Sequence, residues 1–307
     1  MPHEIDRILG AVSATAWAID PAKGYEIANM LALRATHQPR AYDGEAPKAA
    51  AIAAQVDGRK GRIHILSLHG TIFPKADMLS EMSGGVSLVK FGRAFDEAAA
   101  DENAAAIVLD IDSPGGSVGL VEEMAAKIFA ARRENRPIIA VANLMAASAA
   151  YWIAAAADQI VAPPSGRVGS IGVYTMHDDL SERLAMEGVD RTLIFDGARK
   201  VELAPYGPLE DSARAEVQRS VAATYRNFTG DVARFRSVQA SVVRADPESS
   251  DAHYGGGRAY DAREARRLGM IDRLATMEEV LADLTKGKMP RTTKRRASLE
   301  RQKIALS

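Results

Sequence analysis

The sequence predicts an α/β fold with mainly parallel sheets and crossover helices. Short apolar runs of strand character alternate with helix-like runs along most of the chain. The run Ile107-Val108-Leu109-Asp110-Ile111 passes through a Pro-Gly-Gly turn into an amphipathic stretch, the pattern of a strand feeding a helix. With 307 residues, 47% of them hydrophobic, the chain can bury a sizeable core as one large α/β unit or as two domains.

Taken in order, residues 25–36 read as a helix, and Gln38 to Lys60 as a polar, alanine-rich connector. Arg62 to Leu68 alternates as a strand, with Ile63 and Ile65 on one face. A helix over Val86–Ala100 and a strand over Ala106–Ile111 follow. Ser117–Arg133 sets Leu120, Val121, Met124, Ile128 and Phe129 on one helical face. Ile138 to Ala157 is long enough for a membrane span, but its alanines are only weakly apolar. A strand at Ile138–Ala142, a turn at Asn143 and a helix from about Ala146 account for it better.

Further strands are expected at Gln159–Ala162, Ser170–Tyr174 and Arg191–Phe195. A long helix should begin near Leu209, where Glu210 and Asp211 suit the positive end of its dipole. Val217, Val221, Tyr225, Phe228, Val232 and Phe235 make its packing side. Gly255-Gly256-Gly257 is a turn, and helices at Ala262–Leu268 and Met277–Leu284 complete the pattern.

Composition narrows the chemistry. There is no cysteine, which removes disulfides, thiolate metal sites and a cysteine nucleophile, and fits a reducing cytoplasm. The N-terminus lacks the basic and unbroken apolar regions of a secretory signal. The formal net charge of −1 conceals an uneven distribution. Between Lys286 and Lys303 eight basic side chains face only Glu300, a charge of +7 that leaves −8 on the rest. Such a tail is usually a solvated end; the alternative is an electrostatic tether to an acidic partner or nucleic acid.

Three stretches carry candidate chemistry. Asp112-Ser113-Pro114-Gly115-Gly116-Ser117 opens a helix, where backbone N–H groups lack intrahelical partners and can hold a phosphate or an oxyanion. Ser148 lies among alanines, so a substrate backbone can approach its hydroxyl, and the N–H of Ala149 is a further donor. From spacing alone, a serine in a small-residue helix contact fits equally well and is the commoner case. Gly197-Ala198-Arg199-Lys200 offers a lysine, which serves as a base only where burial or nearby positive charge lowers its pKa from about 10.4. Of the histidines, only His177 lies in this half of the sheet region, with Asp178 and Asp179 beside it.

Taken together, the motifs are recognisable. In order, Ser83-Gly84-Gly85, residues 112–117, residues 146–158, Gly169-Ser170-Ile171-Gly172-Val173, residues 197–200 and residues 257–272 resemble the S49 serine peptidases. That family includes signal peptide peptidase A and the phage head-maturation (minor capsid) proteases, within the ClpP/crotonase superfamily. The resemblance implies a ββα-spiral and a Ser–Lys dyad: Ser148 as nucleophile and Lys200 as base. It also implies Gly115 and Gly116 as oxyanion loop and Ser170 as a neighbour that orients the lysine. Arg199 stands where the family has histidine. No cofactor and no metal are implied.

The form Ala-Ala-Ser-Ala-Ala-Tyr-Trp, the early segment Ala16 to Lys23 and the expected lack of a membrane anchor favour the phage branch. This branch implies a cytoplasmic homo-oligomer with its site partly at subunit contacts, acting on scaffold, portal or capsid proteins. The expected division is an N-terminal extension and connector (1–60), the peptidase (61–285) and the basic tail (286–307). The alternatives are a signal-peptide-peptidase-like cytoplasmic protease and a catalytically silent assembly protein. A Ser–His–Asp arrangement through His177 and a crotonase-type acyl-CoA enzyme are weaker.

Overall fold

A computed structural model of the chain describes residues 16–20, 52–75 and 85–288. The expected helix at 25–36, Ser83 and Gly84, and the tail beyond Lys288 lie outside them. The mixed α/β architecture with mainly parallel pairing is present, and a repeated ββα unit generates it.

In the first two units a long strand enters a main sheet, a short strand crosses into a second, small sheet, and a helix returns. β3 (Gly61–His69), β4 (Ile72–Phe73), β5 (Val86–Ser87) and α1 (Leu88–Ala100) form the first. β6 (Ala104–Ser113), β7 (Gly115–Ser117) and α2 (Val121–Ala130) form the second. In the third, β8 (Ile138–Ala147) runs directly into α3 (Ala149–Ala155) through Ser148. β3, β6 and β8 are parallel neighbours, while β4, β5 and β7 share the small sheet with β1 (Trp17–Ile19).

β8 serves two partners along one edge. Its first half pairs with β9 (Gln159–Ala162) and its last three residues with β10 (Arg167–Gly169), both parallel. This corrects the sequence expectation of a turn at Asn143: the strand continues to Ala147, because its second half has pairing partners on both sides. Asn143 instead donates a side-chain hydrogen bond to Asp110 Oδ1 at 3.2 Å.

Alternation along β6 divides the core. Ile107, Leu109 and Ile111 face a large cluster with α1, α2, α3 and α5 (Asp211–Arg236), while Ala106 and Val108 face a smaller one with α8 (Met277–Thr285). Both faces of a parallel sheet are thus covered. α3 is buried on every side, which its alanines permit. Trp152 stacks on Phe228 of α5, with ring centroids 4.6 Å apart, and donates to Asp231 at 3.0 Å. Arg132 caps the end of α3 by donating to the carbonyls of Ala155, Ala156 and Ala157, and burial lowers its pKa to about 10.

Three further expectations are corrected. Part of the connector, Ala53–Gly58, is a strand, β2, antiparallel to β3, so a hairpin straddles position 60. Its exposed face made it read as polar linker. Residues 170–174 leave the main sheet, because Ser170 takes a positive φ of 53° just after β10. Residues 191–195 form no strand; they are exposed and pair with no strand among the described residues. The helix expected near Leu209 is α5, but only Phe228, Val232 and Phe235 of its apolar side are buried. The remaining elements are α4 (Ser181–Met186), α6 (Ala240–Arg244), β11 (Ala259–Asp261), α7 (Ala262–Arg267) and β12 (Arg273–Leu274). Among the described residues no helix is long and apolar enough to cross a membrane.

Candidate active site

Ser148 occupies the single residue between β8 and α3, with φ 55° and ψ −120°. A positive φ is uncommon for a residue with a Cβ and costs of order 1–3 kcal/mol, which the surroundings must offset. They do so by clamping both backbone groups. The Ser148 N–H donates to the carbonyl of Gly169 at 2.7 Å, and its own carbonyl accepts the Trp152 N–H at 3.0 Å, the first hydrogen bond of α3. The side chain is fully buried, and its hydroxyl donates to the Gly172 carbonyl at 3.4 Å.

The Pro-Gly-Gly turn lies against this junction. Gly115 has φ 98°, and a Cβ there would overlap the Ala18 carbonyl oxygen and stand 3.0 Å from both the Ala147 carbonyl oxygen and the Ala149 nitrogen. A Cβ at Gly116 would overlap the Ile72 backbone of β4. Both glycines therefore exist for close backbone approach, and the first N–H of α3 is brought beside the turn. Ser113 fixes the turn from below: its hydroxyl donates to the Gly70 carbonyl at 2.6 Å and accepts the Gly115 N–H at 3.2 Å. Sequence reasoning did not single out Ser113. Its place immediately before the Pro-Gly-Gly was the available signal.

Ser148, Ala149, Gly115 and Gly116 are thus brought together, and Ser170 joins them through the Gly169 carbonyl that holds Ser148. Lys200 is not. It is exposed on a turn closed by its own N–H donating to the Gly197 carbonyl at 2.9 Å, and no hydrogen bond joins it to Ser148. Arg199 turns to Glu202 and Ser212. The surrounding segment holds bare apolar side chains, among them Met186 at 83% exposure and Ile194 at 96%. His177 is engaged with the Gly207 carbonyl at 3.2 Å and Asp179 accepts the Ser181 N–H. No group of three or more His, Asp or Glu side chains suited to a metal occurs among the described residues.

A second polar group at the carboxyl ends of β3 and β6 also escaped sequence reasoning. His69 pairs with Asp110 at 3.1 Å, with Asp112 close by. The pairing with Asp110 raises the His69 pKa despite partial burial, whereas burial raises that of Asp112.

Residues 130–289, which carry the serine junction and the Lys200 segment, match the sequence model of peptidase family S49. The chain belongs to peptidase family S49. Similar proteins include capsid assembly protease C of Escherichia phage lambda, 33% identical over 236 residues, covering 75% of this chain and 53% of that one. Head-tail preconnector protein GP5 of Enterobacteria phage P21 is 29% identical, with 78% and 47% covered. Protease 4 of Salmonella typhi is 28% identical, with 72% and 34% covered. The chain therefore spans about half, or less, of the length of these relatives. Among solved structures it is similar to a ClpP1 mutant from Listeria monocytogenes, at 13% identity and a TM-score of 0.42, covering 71% of this chain and 94% of that one.

Proposed function

We propose that the protein is a serine endopeptidase in which Ser148 is the nucleophile and Lys200 the base. The observation that carries this reading is the Ser148 junction: a buried hydroxyl on a sharp strand-to-helix turn, with the Ala149 N–H beside the glycine turn. Ser148 Oγ attacks a peptide carbonyl, its proton passes to neutral Lys200, and the lysine returns it to the leaving amine. Water then hydrolyses the ester. Gly116 and Ala149 are the stronger candidates for oxyanion donors, since the Gly115 N–H is committed to Ser113. Ser170 serves as the residue that orients the lysine.

Lys200 must travel to reach Ser148. The exposed apolar side chains around it support a contact that buries this segment against another copy of the chain and delivers the lysine, in a homo-oligomer. The names of the phage relatives support a role in capsid assembly; the substrates proposed are scaffold, portal or capsid proteins, acted on in the host cytoplasm. Likeness to Protease 4 favours, more weakly, a signal-peptide-peptidase-like role.

The test is an activated-serine (fluorophosphonate) probe together with hydrolysis of an unfolded protein. Wild type should label at Ser148 and cleave; Ser148→Ala should do neither, and Lys200→Ala should lose at least ~100-fold in turnover. If Lys200→Ala keeps full turnover while His177→Ala is dead, the base is misassigned. The exposed, unengaged Lys200 favours a second reading, an assembly protein that kept the fold without the activity. Absence of labelling in the assembled protein would select it.

A further inference from the structure

β1 lies in a groove with two edges, and its backbone is paired on both. On one edge it runs antiparallel to β7, in the register Trp17 to Ser117, Ala18 to Gly116 and Ile19 to Gly115. Asp20 N–H donates to the Pro114 carbonyl at 2.7 Å, and Val118 N–H to the Ala16 carbonyl at 3.3 Å. On the other edge Trp17 and Tyr174 exchange both hydrogen bonds, at 2.8 and 3.0 Å. Even-numbered residues of the strand therefore turn their polar backbone to the glycine turn, and Trp17 turns its own to the segment after Ser170.

The position of Ala18 is the informative one. Its ladder partner is Gly116, and its carbonyl oxygen is one of three backbone atoms, with the Ala147 oxygen and the Ala149 nitrogen, that crowd the space a Cβ on Gly115 would take. A peptide carbonyl of this chain thus packs against the glycine turn, opposite Gly116, one of the amides that the proposed mechanism assigns to the oxyanion. The Ala18 methyl is fully buried within the main core cluster, which leaves room there for a small side chain only. Trp17 and Ile19 point to the opposite side, where Trp17 meets Phe73 edge-on at a centroid distance of 6.3 Å.

The geometry points to Ala16–Asp20 as a built-in occupant of the substrate groove. The groove takes an extended peptide by backbone pairing on both edges, with a small residue at the position opposite Gly116 and its carbonyl turned to the glycine turn, and this segment holds it closed until displaced. The inference rests on the proposed function and names both the substrate form and a competitor for it. Because substrate binds only the fraction of molecules with the strand out, its apparent affinity falls by that fraction.

The chain has no cysteine, so a disulfide can be introduced without interference. Trp17 and Ser117 form a non-hydrogen-bonded pair, whose Cα separation of about 4.5 Å suits a disulfide. In the full chain carrying Trp17→Cys and Ser117→Cys, oxidation should suppress fluorophosphonate labelling of Ser148 and hydrolysis of an unfolded protein by at least ~10-fold. Reduction should restore both. Equal rates in the oxidised and reduced forms overturn the inference while leaving the serine mechanism standing. If neither form labels, the proposed function falls and the inference with it.

A second measurement needs no substitution. Saturating the wild-type chain with a peptide aldehyde ending in alanine should release the amides of residues 17–20 to hydrogen exchange. Retained protection in the presence of bound aldehyde overturns the inference.

Discussion

The N–H of Ser148 donates to the carbonyl of Gly169 across 2.7 Å, tying the strand-to-helix turn to the end of β10. This bond holds Ser148 at φ 55°, a conformation that glycine adopts without penalty. Ser148→Gly should therefore raise stability by about 1 kcal/mol while abolishing serine-probe labelling. Denaturant midpoints of wild type, Ser148→Gly and Ser148→Ala check it. A glycine variant no more stable than the alanine variant would show that the turn carries no strain.

Gly116→Ala should act in the opposite direction. Its methyl would run into the backbone of Ile72, which belongs to the paired strand β4 and cannot swing aside as a side chain does. A loss of at least ~2 kcal/mol is expected, visible as a fall in thermal midpoint. Gly230→Ala, on α5 with open space around it, is the matched control and should leave stability unchanged or slightly raised.

Trp152 couples the serine helix to α5 through its stack on Phe228 and its hydrogen bond to Asp231. Trp152→Phe keeps most of the stack and loses the bond, for about 1 kcal/mol. Trp152→Ala opens a cavity beside α3 and should cost about 3–5 kcal/mol. Probe labelling of Ser148 should drop in the alanine variant even at temperatures where it is folded, since α3 carries the Ala149 donor.

The parts of the fold legible from sequence were those with a strong period or a motif. β6 alternates cleanly between two cores, and residues 112–117 and 146–158 each sit at a strand-to-helix junction, where glycine or small residues are obligatory. What escaped depended on distant partners. β2 has an exposed face and is a strand only because β3 pairs with it. β8 outruns Asn143 because β10, twenty residues later, and the end of β6 extend its pairing. The pairing of Trp17 with both Ser117 and Tyr174 leaves no local trace, since three apolar residues suit many environments. For Lys200 the motif gave a position in the sequence but not in space, because the residues around it are exposed and form no strand among the described residues.

The His69 group gives a pH dependence of defined sign. Its folded pKa is raised above 6.5, first by the pairing with Asp110 at 3.1 Å and further by the charge of Asp112, with burial opposing. Folding then favours the protonated ring. The stability it contributes is fully present below the unfolded pKa and is lost as pH rises through the folded value. Asp112, raised by burial, works the same way at lower pH: its carboxyl is stabilised in the protonated form and costs stability once it ionises. Relative to His69→Gln, wild type should therefore lose part of its stability margin between about pH 6 and 8. Denaturant midpoints of both proteins across that range measure it. A margin that grows with pH would mean that the His69 ring is neutral against Asp110 in the folded protein.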